Sequence, residues 1–413
     1  MPADPKTVLA NLRELRELTG DTNGAQRIAW TPTWLKAREW FSSKLYGLPI
    51  ERHVDAAGNV WVTLKGESEK TLILGSHLDS VPNGGWLDGC LGVVTALEVL
   101  RGIAEDFNGL PPVTVRLVDW ADEEGARFGR SLFGSSAFAG TQTIDADRGR
   151  TDRDGTRLED ALKTCDISIE EIGKASLERH NAAAYLELHI EQGPVLEAMN
   201  LPLAVVLGTK GVERHAITFH GQEAHSGSTP MAVRRDALAA AAKLALEIRP
   251  IAAKHKDAVC TMGSVKTYPG IVTAVVGRCE ATLDQRDLDA DVLATMHREA
   301  REASERFAAE ERCTVEWSRI WNIEPVPFHP HLIDLCDAAI HEVAGNSHRM
   351  PSGPLHDAAE VSRVGIPTVM MFVQSLAGIS HNKIEDTKPE HLELAVAAFD
   401  RLASKTMQWI AQA

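Results

Sequence analysis

Residues 71–80 read TLILGSHLDS and residues 86–89 read WLDG, and these two segments determine how the rest of the chain is interpreted. The apolar run at 71–74 predicts a strand, so His77 and Asp79 follow at its carboxyl end, and Asp88 comes shortly after. Imidazole and carboxylate groups are the ligands that hold a catalytic Zn²⁺ or Mn²⁺. An H-x-D pattern by itself more often only ends a strand, so the remaining sequence has to decide between the two interpretations.

A second acidic group follows another predicted strand. Residues 113–118 read VTVRLV, which is rich in β-branched residues, and the run Asp122, Glu123, Glu124 comes soon after it. Of two adjacent carboxylates, one can bind a metal while the other stays free as a general base. Acidic residues also favour the first turn of a helix, where they stabilise the positive end of its dipole. Taken alone, the pattern supports both interpretations equally.

Two histidines stand apart from the others by their surroundings. His189 lies in LHIEQGP and His381 lies in ISHNK. The chain has 16 histidines, so most of them are expected to be ordinary surface or core residues. That default interpretation applies to His215, His220, His255, His297, His341 and His348.

Seven blocks between residues 75 and 387 resemble the M20-type binuclear metallohydrolases, in particular their hydantoinase/carbamoylase branch. That branch includes N-carbamoyl-L-amino acid hydrolases, β-ureidopropionases and allantoate amidohydrolases. The blocks occur in order and together span most of the chain, which excludes chance agreement. They are GSHLDSVPNGGWLDGCLGV, DEEGARFGRSLFGSSAFAG, LHIEQGPVLE, GQEAHSGSTPM, LDQRDLD, PSGPLHDAAE and GISHNKIEDT.

The resemblance implies a centre with two divalent metal ions in each subunit. His77 and His189 would bind the first ion, Glu124 and His381 would bind the second, and Asp88 would bridge both. The ions implied are Zn²⁺ or Mn²⁺, with Co²⁺ or Ni²⁺ as alternatives.

The resemblance also implies the catalytic groups. Glu123 would be the general base that deprotonates the water bridging the metals, and Asp79 would orient the imidazole of His77. His225 would reach the substrate from the small domain of a dimer partner and stabilise the oxyanion. The implied assembly is therefore a homodimer.

Arg286 resembles the family arginine that binds the substrate carboxylate with its planar guanidinium. The chain departs from the family at Thr273, where relatives carry asparagine, and at Val212, where they often carry glutamine. The family pattern SGAGHDA also reads SGPLHDA here. The reaction class is therefore predicted more firmly than the acyl group. The further substrate-binding positions implied are Gln192, Thr273, Ser352, Gly353 and Gly378.

The predicted activity is cleavage of the C–N bond of an N-carbamoyl- or N-acyl-L-amino acid by a metal-bridging hydroxide. An enzyme acting on allantoate or on another acyl amino acid is the alternative within the same class. A metal-free relative with a binding or regulatory role is the alternative outside it. The complete set of ligand-type residues, together with Glu123, argues against that last alternative.

The composition agrees with a soluble enzyme of the cytoplasm. The chain has 43 basic and 58 acidic residues and a net charge of −15, which argues against binding nucleic acid or an anionic membrane. No apolar run reaches the length of a transmembrane helix, and the first residues lack the features of a signal peptide. The six cysteines have no C-x-x-C spacing, which is typical of a reducing compartment.

The predicted fold class is α/β with two domains. Strands alternate with helices in residues 1–211 and again in 322–413, which predicts a catalytic domain built on a mainly parallel sheet. Residues 212–321 instead follow the order βαββαβ. That order predicts an inserted α+β domain, which the resemblance identifies as a dimerisation and lid domain.

Overall fold

A computed structural model describes residues 2–412, and the chain forms two compact units. Met1–Leu207 and Phe328–Ala413 form the first unit, and Gly208–Pro327 forms the second. The second unit extends beyond the predicted range 212–321 at both ends.

The helices and strands follow one another along three parts of the chain. The first part contains α1 (Pro5–Thr19), β1 (Gly20–Asp21), β2 (Gly24–Ala25), α2 (Pro32–Lys44), β3 (Glu51–Val54), β4 (Val60–Leu64), β5 (Thr71–His77), α3 (Cys90–Asp106), β6 (Thr114–Trp120), α4 (Phe133–Ala139), α5 (Ile144–Asp147), α6 (Leu158–Lys163), β7 (Ala182–Ile190), α7 (Val195–Met199) and β8 (Leu203–Thr209). The middle part contains β9 (Gly211–His220), β10 (Ala224–His225), α8 (Ala237–Ala253), β11 (Val259–Tyr268), β12 (Ala274–Val275), β13 (Arg278–Asp287), α9 (Ala290–Glu310) and β14 (Thr314–Ile323). The last part contains β15 (Val326–Pro327), α10 (Pro330–Ala344), β16 (Arg349–Ser352), α11 (Asp357–Arg363), β17 (Thr368–Val373) and α12 (Pro389–Gln412). Short 3-10 helices lie at Ile172–Arg179, Met231–Val233 and Leu376–Gly378.

The first unit is built on a nine-stranded mixed sheet. Its strand order is β15-β8-β17-β7-β5-β6-β4-β3, and β16 pairs with β8. The four central strands β17, β7, β5 and β6 run parallel, whereas β8 and β4 join them antiparallel. The predicted parallel arrangement thus describes the centre of the sheet. β3 and β4 are joined by only a short turn, which permits an antiparallel pair and excludes a parallel crossover.

Two groups of helices pack on this sheet. α3 lies on β5, β6 and β7 and contacts α12, while α11 lies on β7 and β17 and contacts α4. Every residue of β5 is buried, as expected for a strand covered by other elements, and this explains its unbroken apolar run. Because the four central strands are parallel, the loops that follow β5, β6, β7 and β17 all leave the same edge of the sheet.

The second unit is a four-stranded antiparallel sheet in the order β11-β13-β9-β14, with α8 and α9 packed against it. Its main elements follow the predicted βαββαβ order, and a small extra pair, β10 with β12, is added. Buried odd-numbered residues of β9 and β13, such as Ile217, Phe219 and Leu283, belong to the core shared with the helices. The even-numbered residues therefore occupy the other face of the sheet.

No helix in residues 2–412 combines the length and the apolar character that crossing a membrane requires.

Candidate active site

His77 is the last residue of β5, and its ring is buried at 1% exposure. Its Nδ1 lies 3.2 Å from the backbone oxygen of Asp79, and a carbonyl can only accept, so Nδ1 carries the proton. Nε2 therefore has a free lone pair, and it lies 3.7 Å from Asp88 Oδ1 and 3.8 Å from Glu123 Oε2. The hydrogen bond to the backbone fixes the tautomer that a metal-binding histidine needs.

His189, near the end of β7, is arranged in the same way. Its Nδ1 donates to the backbone oxygen of Ile190 at 2.9 Å, and its Nε2 lies 3.1 Å from Asp88 Oδ1. In this tautomer, two electron-rich atoms face each other at close range. A cation shared between them removes the repulsion.

Asp88 presents its second oxygen to a different set of side chains. Its Oδ2 lies 3.4 Å from His381 Nε2, which in turn is 3.3 Å from Glu124 Oε2. Two groups of ligand-type atoms result, each with its members within 4.8 Å of one another: His77, Asp88 and His189, and Asp88, Glu124 and His381. Asp88 is the one residue common to both.

The loop after β6 is held by Asp79. Its two carboxylate oxygens accept hydrogen bonds from the backbone N–H groups of Glu123 and Glu124, each at 3.2 Å. The carboxylate lies 3.5 Å from His77 Nδ1, further away than the backbone oxygen of the same residue. In this structure Asp79 therefore supports the acidic loop as well as the imidazole.

Negative charge is crowded in this part of the molecule. Burial raises the pKa of Glu123 well above its ordinary value, and the neighbouring Glu124 carboxylate raises it further. Burial also raises the pKa of Glu124 well above its ordinary value, with Asp88 adding to the shift. Burial alone would raise the pKa of Asp88, but the nearby imidazoles of His189, His77 and His381 outweigh it and lower that pKa. The cluster is thus built to be neutralised by positive charge.

The side chains themselves fit divalent ions. Glu124 Oε1 and His189 Nε2 are buried, and neither has a hydrogen-bond partner within residues 2–412. Leaving such atoms unpaired is costly, whereas a metal bond satisfies both. Mixed imidazole and carboxylate donors suit Zn²⁺ and related ions.

The backbone lies unusually close to the ligand side chains in this site. Gly89 has φ 65°, and a Cβ at this position would lie 2.4 Å from Cε1 of His77. Gln192 and His381 also adopt left-handed backbone conformations, with φ 57° and 53°. Non-glycine residues in this region are strained and are typical of functional sites. The side chain of His381 is 51% exposed, so the site is open to solvent on this side.

The residues predicted to bind substrate occupy several places. In the first unit, Gln192 donates to Asp88 Oδ2 at 2.9 Å and therefore lies against the ligand cluster. Gly378 has φ 62°, and a Cβ there would lie 2.8 Å from the backbone nitrogen of Pro194. Ser352 is buried and donates to the backbone oxygen of Pro354, while a Cβ added to Gly353 would meet nothing within 4 Å.

The second unit carries the other predicted positions. His225 Nδ1 accepts from the backbone N–H groups of Gly227 and Ser228, at 3.1 and 3.2 Å, so its proton is on Nε2. Arg286 bonds Asp284 at 2.8 and 3.3 Å. Val212 is the cross-strand partner of Arg286, and Thr273 accepts from the backbone N–H of Ser226 through its carbonyl.

Glu385 also lies next to the site, although it was not among the predicted residues. Its carboxylate accepts from the backbone N–H groups of Leu87 and Asp88, each at 3.1 Å, and from Ser380 Oγ at 2.8 Å. Burial and the charge of Asp88 raise its pKa to about 7. Glu385 and Ser380 lie in the block GISHNKIEDT, which was the only signal for them.

A buried polar group behind His189 was missed as well. Glu187 accepts hydrogen bonds from Ser76 Oγ, Tyr185 Oη and the backbone N–H of Ala358, at 2.9 to 3.1 Å. The ring of His356 packs edge-on against His189 with 4.5 Å between centroids. Ligand-type atoms of Glu187, His189 and His356 lie within 4.8 Å of one another, and the alternation of Glu187 and His189 along the buried strand β7 gave no sign of this contact.

Residues 73–405 match the family described as peptidase family M20/M25/M40. An N-carbamoyl-L-amino acid amidohydrolase of Geobacillus stearothermophilus is 33% identical over 88% of this chain and 89% of its own length. An allantoate amidohydrolase of Escherichia coli (strain K12) is 32% identical over 88% of both chains. The crystal structure of a hydantoinase/carbamoylase family amidase from Burkholderia multivorans superposes with a TM-score of 0.87, at 32% identity and 97% coverage of both chains.

Proposed function

Since the chain belongs to peptidase family M20/M25/M40, we propose that it is a two-metal amidohydrolase acting on the C–N bond of an N-carbamoyl- or N-acyl-L-amino acid. The observation that carries this proposal is the position of Asp88. One of its oxygens lies beside His189 and the other beside His381, and each side has its own group of ligand-type atoms. A carboxylate that offers one oxygen to each of two ligand sets is what a bridged pair of ions requires.

We assign His77, Asp88 and His189 to one ion, and Asp88, Glu124 and His381 to the other. When bound, such ions polarise a carbonyl oxygen and lower the pKa of a water molecule. The proposed ions are Zn²⁺ or Mn²⁺, with Co²⁺ or Ni²⁺ as alternatives.

Glu123 is the proposed general base. It belongs to neither ligand group, so metal binding does not require it. Its Oε2 nevertheless lies 3.8 Å from His77 Nε2, next to the proposed centre. Glu123 would accept a proton from the attacking water and pass it to the departing nitrogen. Asp79, which bonds the backbone N–H of Glu123, would keep this carboxylate in place.

The substrate class remains a proposal within the amidohydrolases. The two relatives named above act, by their names, on an N-carbamoyl-L-amino acid and on allantoate, at almost the same identity to this chain. Allantoate is therefore the alternative substrate. Comparing turnover of N-carbamoyl, N-formyl and N-acetyl amino acids with allantoate, with and without a chelator, distinguishes the two and detects any metal-independent activity.

The bridging role is tested by counting metals. Asp88→Ala should lose both ions together, whereas His381→Ala should mainly lose one, because only Asp88 belongs to both groups. His180→Ala, at an exposed position of the first unit, is the matched control and should keep the full complement. An unchanged two-ion content in Asp88→Ala would exclude the bridge.

The homodimer, the cytoplasmic location and the roles of His225 and Arg286 remain predictions. Support for the role of His225 comes from its tautomer, since a ring protonated on Nε2 can donate to a developing oxyanion. Arg286 lies on the strand face that carries Val212, which leaves an apolar neighbour where relatives often carry an amide. We therefore add amino acids with longer acyl groups to the carbamoyl, formyl and acetyl compounds of the substrate comparison.

A further inference from the structure

A second cluster of metal-binding side chains lies in the second unit. Glu213 and His215 are two residues apart on β9 and therefore occupy the same face of the sheet, the one covered by helices. His297 lies on α9, which packs against that sheet. The ligand-type atoms of these three residues lie within 4.8 Å of one another.

Two of these residues are already joined, and the third has an atom without a partner. His215 is 3% exposed, and its Nε2 lies 2.8 Å from Glu213 Oε2. The ring of His297 stacks on that of His215 with 4.2 Å between centroids. Its Nε2 is buried and has no hydrogen-bond partner in the described part of the chain. A buried nitrogen without a hydrogen bond is costly, and a cation bound between it and the neighbouring imidazole–carboxylate pair would satisfy it.

Side chains of β14 contact all three groups. Trp317 on β14 packs edge-on against both rings, with centroids at 5.6 and 5.5 Å. Arg319 lies 3.9 Å from Glu213 Oε1, on the side away from the oxygen that faces His215. The two stacked rings are nearly parallel, at 12°. Metal binding would tilt the ring of His297 out of this stack, and no described hydrogen bond holds its Nε2 against that movement.

We propose that Glu213, His215 and His297 form a third metal site, which binds a first-row transition metal ion such as Zn²⁺. Two imidazole nitrogens and one carboxylate oxygen form a donor set typical of Zn²⁺, and a water molecule would complete its four-coordinate shell. The ion would link β9 to α9 and so stabilise the second unit. This proposal is independent of the proposed function, because all three ligands belong to Gly208–Pro327 and the ligands of the catalytic centre belong to the first unit.

The test measures Zn²⁺ binding in the full chain carrying Asp88→Ala, which weakens the catalytic centre. Equilibrium dialysis against Zn²⁺ compares that protein with versions that also carry His297→Gln or His220→Gln. His220 is the matched control because it lies on the same strand, on the opposite face, with its side chain 40% exposed. Loss of a residue that only hydrogen-bonds a metal ligand weakens metal affinity about 10- to 100-fold. Loss of a direct ligand in His297→Gln should therefore weaken the binding of one Zn²⁺ ion by about 100-fold. His220→Gln should leave it unchanged.

The comparison does not depend on how many catalytic ions remain, since both versions share the same background. Glu213→Gln provides a second variant, because this half-buried side chain can change without leaving a cavity. Both site variants, made without Asp88→Ala, should keep their amidohydrolase activity, which verifies that they fold. Zn²⁺ should raise the melting temperature of the Asp88→Ala protein by more than it raises that of its His297→Gln version. Equal Zn²⁺ binding by the His297→Gln and His220→Gln versions would overturn the proposal.

Discussion

Glu123 is the residue whose role can be separated from metal binding. It stands next to Glu124 in the chain, yet only Glu124 lies within reach of His381. We predict that Glu123→Gln keeps both ions and loses turnover by about 10²- to 10⁴-fold, the range that a positioned proton carrier contributes. Metal analysis and kcat on the same preparation test this. A variant with full metal content and near-normal kcat would show that another group carries the proton.

Gly89 is the residue that permits the close approach of Asp88 to His77. A methyl group at this position would lie 2.4 Å from the imidazole, and the backbone has φ 65°, which side chains disfavour. Gly89→Ala should therefore store about 1–3 kcal/mol of strain and displace His77 from its ligand position. We expect lower metal content and a lower midpoint of urea unfolding.

Gly173→Ala is the control for Gly89→Ala, because a Cβ at Gly173 meets nothing within 4 Å. It should match the unmodified protein in metal content and unfolding midpoint. If Gly89→Ala also retained its metals, the ligand loop would be able to move away without affecting the centre.

At the scale of elements, the loop between β5 and α3 is held in place by Glu385, a residue distant in the sequence. Glu385 bonds the backbone of Leu87 and Asp88, and a Cβ on Gly85 would meet this carboxylate at 2.0 Å. We predict that Glu385→Ala weakens metal affinity about 10- to 100-fold while kcat at saturating metal falls much less, because the ligands remain but their backbone is released. Metal titrations of activity separate the two effects.

Glu393→Ala is the matched control for Glu385→Ala, since Glu393 is an exposed glutamate on α12. It should leave the metal titration unchanged. An equal loss of kcat and of metal affinity in Glu385→Ala would instead indicate that this carboxylate takes part in the reaction itself.

The sequence predicted where the elements of the sheets lie better than where they end. The strand predicted from the apolar run at 71–74 is β5, which continues through Ser76 to His77. The apolar pattern stops before the backbone pairing does, because the polar side chain of Ser76 is buried against a partner, Glu187. The polar ends of strands thus carry residues of this site, and the hydrophobic periodicity does not mark those ends.

At the scale of the whole molecule, local sequence did not reveal the mixed sheet. The alternation of strands and helices predicted parallel neighbours, which holds for β17, β7, β5 and β6. The antiparallel addition of β4 and β8 depends on strand order, and no local pattern encodes it. The contact of Glu385 with Asp88 was hidden for the same reason, since the two residues are far apart in the chain.

The predicted catalytic groups are divided between the two units, because Glu123 belongs to the first and His225 to the second. If a partner chain supplies His225, Glu123→Gln and His225→Ala should each be inactive alone and recover activity when their subunits are mixed. Each heterodimer then holds one complete site out of two. Random exchange should therefore restore about a quarter of the unmodified activity.

A mixture of Glu123→Gln with Asp88→Ala serves as the control for this experiment. Both changes lie in the first unit, so no heterodimer contains a complete site and activity should stay absent. Subunit exchange has to be verified separately, for example with differently tagged chains. If exchange occurs and the pair with His225→Ala still fails to recover, His225 acts within its own chain or has no part in the reaction. Recovery would show that the enzyme needs two chains to complete each site, so that dimer formation is a condition of catalysis.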